Sequence, residues 1–133
     1  MKCAKLFQKN LDSKKLNYQA STDKDGDIRI RFPYEGKDIL MFFSGNDGEY
    51  LSMYTVFEHV PQDKRIALLE TCNDLNCQYK WVTFYVDKDN DIVLHCDAKL
   101  SVKTADEEAF ELLIRNAKIM AEVKPILMKA IYA

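Results

Sequence analysis

The side chains in this sequence that are best suited to chemistry near neutral pH are two histidines and four cysteines. His95 precedes Cys96, and a histidine that meets a cysteine can activate its thiolate as a nucleophile. The two are neighbours on a predicted strand, where successive side chains point to opposite faces of the sheet. His95 therefore cannot directly activate Cys96, and we expect it and His59, which follows Glu58, to be structural histidines.

The cysteines show neither zinc-ligand nor disulfide spacing. They are scattered without a C-x-x-C pair, and neither histidine is placed as an obvious fourth ligand. We predict reduced thiols that pack as small hydrophobic side chains. The four residues are Cys3, Cys72, Cys77 and Cys96.

Two acidic stretches, residues 23–27 and 87–91, resemble fragments of a calcium-binding loop. Such a loop needs acidic residues at positions 1, 3 and 5, glycine at 6 and glutamate at 12. In the first stretch Gly26 comes two places early and position 12 is Tyr34, and in the second position 12 is Ala98. We predict that both stretches are hairpin turns.

The motifs of common catalytic sites are missing from the sequence. It contains four glycines, with no glycine-rich phosphate loop and no G-x-S-x-G. We therefore predict no catalytic residues, no cofactor and no metal site, and we expect the protein not to be an enzyme.

Length and charge favour one ordinary globular domain over residues 1–133. The chain is 47% hydrophobic and 30% charged, and a net charge of −2 offers no long-range attraction to nucleic acid or to a membrane. Arg29 and Arg31 could serve an RNA-binding sheet, but the acidic balance and the missing RNP-like motif argue against this. The start has no apolar signal region and the longest apolar run, residues 39–43, cannot span a bilayer, so we expect a cytoplasmic protein.

Hydrophobic periodicity predicts an α+β fold with a twisted antiparallel sheet and the order α-βββ(β)-α-ββ-α. Cys3, Phe7 and Leu11 form one stripe of a first helix over residues 2–15. Alternating strands follow at residues 18–22, 28–32, 39–44 and 50–60, separated by glycine-containing turns. Pro61 opens a second helix that extends to residue 76, and two strands are predicted at residues 79–86 and 92–100. A last helix begins at a Thr104 cap, with Glu107 at capping-box spacing. It is predicted to extend to residue 132, with a kink at Pro125.

Two surfaces carry more apolar area than a lone core needs. The second helix has an apolar arc of about 180°, wider than the stripe of a helix that rests on one sheet. One face of the sheet is aromatic-rich, as recognition surfaces often are, if Tyr79, Trp81 and Tyr85 alternate along one strand. We predict a partner or dimer interface formed by Ile66, Leu69, Asn73, Tyr54, Trp81 and Tyr85.

One stretch and the order of the elements resemble a known family. The segment from Val60 through Arg65, followed by Leu68-Leu69, Leu75-Asn76, a strand, an acidic turn and the strand from Asp91, is similar to the YbjN-type domain, a family of bacterial sensory transduction regulators. That domain resembles the type III secretion chaperone fold. The resemblance implies helices at both ends and in the middle of a twisted sheet, and frequently a homodimer. It supplies no catalytic residues.

Two functions remain open at this point. The first is a non-enzymatic protein-binding or regulatory domain, chaperone-like in fold, that acts as a homodimer and binds an unidentified protein. The second is a small-ligand sensor or weak enzyme with a pocket between the sheet and the C-terminal helix. Converging polar groups in a closed pocket would favour the second, and a broad apolar patch the first.

Overall fold

The computed structural model describes all 133 residues and confirms the α+β fold. Four strands precede the central helix, so the fourth strand that the sequence left optional is present. The elements in chain order are α1 (Lys2–Ser13), β1 (Gln19–Thr22), β2 (Ile28–Tyr34), β3 (Lys37–Ser44), β4 (Tyr50–His59), a short 3₁₀ turn (Gln62–Lys64), α2 (Arg65–Gln78), β5 (Thr83–Val86), β6 (Asp91–Lys99) and α3 (Ala105–Tyr132).

The six strands form one antiparallel sheet in the order β1-β2-β3-β4-β6-β5. The long strands β4 and β6 pair along almost their whole length, with a bulge between Val56 and Glu58. The short strands β1 and β5 form the two edges. The meander from β1 to β4 follows the predicted turns.

The sheet has one buried face and one open face. Alternate residues of the strands, such as Ile30, Met41 and Met53, are fully buried and share one core with side chains of all three helices. Their neighbours along the strands point to the opposite face, which no helix covers, and most of them are partly or fully exposed. We call this opposite surface the open face.

The apolar stripes of the terminal helices pack on the buried face. Cys3, Phe7 and Leu11 of α1 are fully buried, as predicted. The 28 residues of α3 form one helix that continues through Pro125. Its first turn departs from the predicted capping box, because Glu108, not Glu107, accepts hydrogen bonds from the Thr104 hydroxyl and the Ser101 N–H, both at 2.9 Å.

Both acidic stretches are hairpin turns of the same design, as predicted. Oδ1 of Asp23 accepts the N–H groups of Asp25 and Asp27, at 2.9 and 3.0 Å. Oδ1 of Asp87 likewise accepts those of Asp89 and Asp91, both at 2.9 Å. The fourth residue of each turn takes the left-handed conformation, Gly26 with φ 88° and Asn90 with φ 63°, which these two residue types tolerate best.

The strand predicted over residues 79–86 is shorter than expected. Only Thr83–Val86 pair with β6, and residues 79–82 leave the sheet. Tyr79 lies against Phe84, with ring centroids 5.8 Å apart, and donates to Glu122 on α3 at 3.0 Å. The placement of Tyr79 and Trp81 on the open face is therefore wrong, because the alternation that assigned it stops before Thr83.

The core contains two polar side chains without a hydrogen-bond partner in the protein. Thr55 on β4 is fully buried and its hydroxyl is unpaired, and Asn116 on α3 is 1% exposed with both amide atoms unpaired. Such a group loses its hydrogen bonds to water on folding, which costs about 1–3 kcal/mol.

We predict that Asn116→Leu stabilises the protein, because leucine has the same number and branching of side-chain heavy atoms and leaves no polar group to satisfy. A gain of about 1 kcal/mol would raise the midpoint of thermal unfolding by about 3–5 °C, measured by circular dichroism. Asn17→Leu, at an exposed position, is the control and should not raise it. A lower midpoint for Asn116→Leu would mean that the amide is satisfied in solution.

Candidate functional site

A row of aromatic side chains crosses the open face of the sheet from β3 to β5. Tyr54 of β4 stacks on His95 of β6, with ring centroids 4.2 Å apart. Phe42 lies edge-on to Tyr54 at 5.8 Å, and Tyr85 lies edge-on to His95 at 6.2 Å. Aromatic pairs in these geometries hold one another in fixed orientations. The row is therefore a preformed, half-exposed apolar surface.

A hydrogen-bonded carboxylate fixes the histidine at the centre of this row. Oδ1 of Asp97 accepts from the Ser52 hydroxyl at 2.7 Å and lies 2.8 Å from Nε2 of His95. Partial burial acts to raise the pKa of Asp97, but the hydrogen bonds from Ser52 and His95 and the charge of His95 outweigh it, so the pKa lies below its ordinary value of 3.8. The serine bonds to the carboxylate and not to the histidine, so the three side chains are not arranged as a nucleophilic triad.

Three of the four thiols are poorly suited to act as nucleophiles. Cys96 lies on the buried face, opposite to His95, as the alternation predicted, and burial raises its pKa. Burial also raises the pKa of the Cys72 thiol, to about 11. Only Cys77 is exposed, which the prediction of packed thiols did not anticipate. Cys3 is buried too, and burial raises its pKa as well. Since the thiolate is the reactive form, the three buried thiols are inert near neutral pH.

The central helix α2 presents an exposed apolar stripe. Its buried side consists of Leu68, Cys72 and Leu75. Its exposed side carries Ile66, which is 74% exposed, and Leu69, which is 43% exposed, with Asn73 one turn further on. We call these last three residues the α2 stripe. A large aliphatic side chain exposed to this extent costs solvation free energy unless another surface covers it.

The helix that carries this stripe is anchored at both ends. Near its start, the Arg65 guanidinium donates to the carbonyl of Asp87, at 2.9 Å, and to the Asn90 side chain in the turn before β6. Near its end, the Asn76 amide donates to the carbonyl of Phe84 at 2.9 Å and accepts the Phe84 N–H at 2.8 Å. Asn76 thus takes the place of a neighbouring strand at the outer edge of β5.

Trp81 lies apart from both surfaces, beside the first turns of α3. It is 50% exposed, and the Arg115 guanidinium lies 5.0 Å from its ring centroid. Arg115 is also paired with Glu111 at 2.9 Å. An open groove of about 360 Å³ lies between Trp81, α3 and the end of β6.

The six predicted interface residues therefore fall on three surfaces. Ile66, Leu69 and Asn73 share the α2 stripe, Tyr54 and Tyr85 flank His95 on the open face, and Trp81 borders the groove. Sequence reasoning missed His95 as a member of the aromatic row, although its odd position on β6 puts it on that face. It also missed the pairing of Asn76 with Phe84, for which the sequence carries no local signal.

Two further properties concern metals and membranes. The chain brings no three metal-ligating histidine, cysteine, aspartate or glutamate side chains together. None of its helices combines the length and the apolar character that crossing a bilayer requires.

We predict that Asn76→Ala destabilises the fold by about 1–3 kcal/mol, because it leaves the N–H and carbonyl of Phe84 without their partner. Chemical denaturation measures the loss, and Gln78→Ala, at an exposed position on the same helix, is the control. Equal stabilities of the two variants would show that Asn76 does not hold α2 to β5.

The lowered pKa of Asp97 predicts a pH-dependent contribution to stability. A carboxyl group with a depressed folded-state pKa stabilises the fold fully above its unfolded value, near 3.8, and the contribution is lost as the pH falls through the folded value. Asp97→Asn should lower the free energy of unfolding at pH 7 by less than about 1 kcal/mol, since the side chain is largely exposed. The difference in the free energy of unfolding between this variant and the wild type should become smaller as the pH falls below 3.8. A difference that stays constant with pH would contradict the assignment.

Comparisons with known proteins address the fold and the family. The sequence matches the YbjN family, described as a putative bacterial sensory transduction regulator, over residues 6–122. No curated protein matches it significantly. Among solved structures, the fold is similar to the Yersinia pestis type III secretion chaperone SycH, crystallised in complex with a stable fragment of YscM2. The TM-score is 0.51 at 10% identity, over 87% of this chain and 98% of the chaperone chain.

The similarity to SycH agrees with the chaperone-like fold that the sequence predicted, and at this identity it concerns the fold alone. The family match covers most of the chain and includes the central helix, its terminal Leu75-Asn76 and both strands of the second hairpin. The chain is a member of the YbjN family.

Proposed function

We propose that this protein is a non-enzymatic protein-binding and regulatory domain that acts as a homodimer through the α2 stripe. The observation that carries the proposal is the exposure of Ile66 and Leu69 on a helix that is fixed at both ends. Such a stripe is preorganised, so binding to it orders few additional groups.

A second copy of the chain is the occupant that fits this stripe best. In a twofold interface the same surface patch meets itself, so its polar groups must be self-complementary. Asn73 meets this condition, because a side-chain amide both donates and accepts hydrogen bonds and can pair with its own copy. A single polar residue within an apolar helix pair also fixes the register of the two helices. Glu70 and Asp74 border the stripe, where they would lie at the solvated rim.

The open face supports binding of a further protein. Its aromatic row exposes rings that are held in place by one another and by Asp97. Tyrosines are enriched at protein interfaces, since they combine a large apolar surface with a hydrogen-bonding hydroxyl. The crystallised complex of SycH with a fragment of YscM2 is an example of protein binding on this fold. Neither the family description nor the name of this chaperone includes a catalytic activity.

The alternative of a small-ligand sensor would use the groove between the sheet and α3. The carboxylates around this groove are engaged by the protein itself: Glu111 by Arg115, Glu108 by Ser101 and Thr104. No carboxylate is left free there, and the groove is open to solvent, whereas small-molecule sites are enclosed pockets. We therefore favour the protein-binding function.

We predict that Leu69→Asp weakens self-association at least about 100-fold, because each dimer would bury the new charge twice without a partner. Light scattering over a concentration series measures the effect. The wild type should approach twice the 15.5 kDa of the chain, and the variant should stay near 15.5 kDa. Both proteins should give the same circular dichroism spectrum, since Leu69 does not belong to the core.

Ile114→Asp provides the matched control. Ile114 is 49% exposed on α3 and lines a surface together with Asn10 and Lys14 of α1, to which no residue of α2 contributes. This variant should keep the wild-type mass. If Leu69→Asp folds and also keeps the wild-type mass, the α2 stripe is not the dimer interface.

A further inference from the structure

Strand β6 is longer than its outer neighbour, so one end of it has a partner on one side only. β5 pairs with β6 from Val86, opposite Ile92, to Thr83, opposite His95. On its other side β6 remains paired with β4 as far as Lys99. Because residues 79–82 leave the sheet, the last four residues of β6 form a short open edge along the groove.

The backbone along this edge is directed into the groove. In an antiparallel sheet the N–H and C=O groups of successive residues point alternately to the two neighbouring strands. Leu100 donates its N–H to the carbonyl of Glu49 on the β4 side, at 2.7 Å. Asp97 and Lys99 therefore direct their backbone groups to the opposite side, and these four groups make no hydrogen bond within the protein.

The floor of the groove is apolar. Ala98 alternates with Asp97 and Lys99, so it faces the helix side of the sheet, where it borders the groove together with Leu112 of α3. The half-exposed Trp81 forms the outer wall. A side chain that entered between Trp81 and Leu112 would be shielded from water on two sides.

The free charges of the groove are positive. Asp97, Glu108 and Glu111 are each engaged in hydrogen bonds or an ion pair with neighbouring protein groups. Lys80 and Lys99 line the groove without forming an ion pair, and the Lys99 ammonium lies 5.9 Å from the Tyr50 ring centroid. Lysines beside an open edge disfavour a basic strand and complement an acidic one.

We propose that this edge of β6 is a docking slot for a short extended segment of a partner protein that carries an acidic residue next to an apolar one. The segment adds to the sheet as an antiparallel strand and pairs with the backbone of Asp97 and Lys99. Residues directly opposite share a face, so the acidic residue lies opposite Lys99 and the apolar residue opposite Ala98, against Leu112. This inference rests on the protein-binding function proposed above, and it uses a surface separate from the α2 stripe.

Selection of random seven-residue peptides displayed on phage tests the slot. The enriched peptides should place an acidic residue next to an apolar one. Trp81→Ala should weaken their binding at least about tenfold, as expected for a tryptophan that the bound peptide covers. Lys99→Glu should weaken it about fivefold, and exchange of the acidic residue of the peptide for lysine should restore it. Leu69→Asp, which is expected to disrupt the dimer, should leave peptide binding unchanged.

Amide hydrogen exchange of the complex identifies the binding mode. With a selected peptide at saturation, exchange of the Asp97 and Lys99 amides should slow at least about tenfold, as expected when an open N–H enters a ladder. The proposal is wrong if no peptide is enriched, or if the selected peptides bind equally well to Trp81→Ala and leave these two amides unprotected. If Leu69→Asp abolishes peptide binding and the variants of Trp81 and Lys99 do not, the peptides bind at the dimer interface, and the proposed slot is wrong.

Discussion

The rest of the structure depends on the packing of all three helices against one face of a single antiparallel sheet. This arrangement buries Ile30, Met41 and Met53 and leaves their alternate neighbours open. The sheet has no second layer, so Tyr54 and His95 remain available at the surface. The edge strands of the sheet are β1 and β5. Asn76 of α2 covers the outer edge of β5, because it pairs with the backbone of Phe84. The same helix exposes the α2 stripe to solvent.

Features that depend on local periodicity could be predicted from the sequence. The alternation of Ile28, Ile30 and Phe32 and the turn at Gly26 gave the hairpin and its buried face correctly. The spacing of Phe7 and Leu11 gave the stripe of α1. The separation of His95 and Cys96 onto opposite faces followed from the strand period alone, and it removed the one suggestive nucleophile pair.

Features that depend on where an element ends could not be predicted in this way. Alternation continues through Tyr79, Trp81 and Thr83, but the chain leaves the sheet before Thr83, and the sequence carries no strong turn signal at that point. The open edge of β6 exists only because of this departure. The role of Asn76 likewise depends on a contact with Phe84, across the end of the helix, that no spacing rule anticipates. The apolar surplus of α2 was visible in the sequence, since its arc was wider than one sheet can cover.

The proposed dimer brings two copies of α2 together, so a distance between the copies reports whether they meet there. Cys77 is the one exposed cysteine and lies on α2, which at 14 residues is about 21 Å long. A spin label on Cys77 of each copy should give an intermolecular distance below about 30 Å, since helices that pack against each other lie 8–10 Å apart. Leu69→Asp should abolish the dipolar coupling. Two results would show that the dimer does not form through α2. One is coupling that persists in Leu69→Asp, and the other is wild-type protein without coupling at concentrations where light scattering detects a dimer.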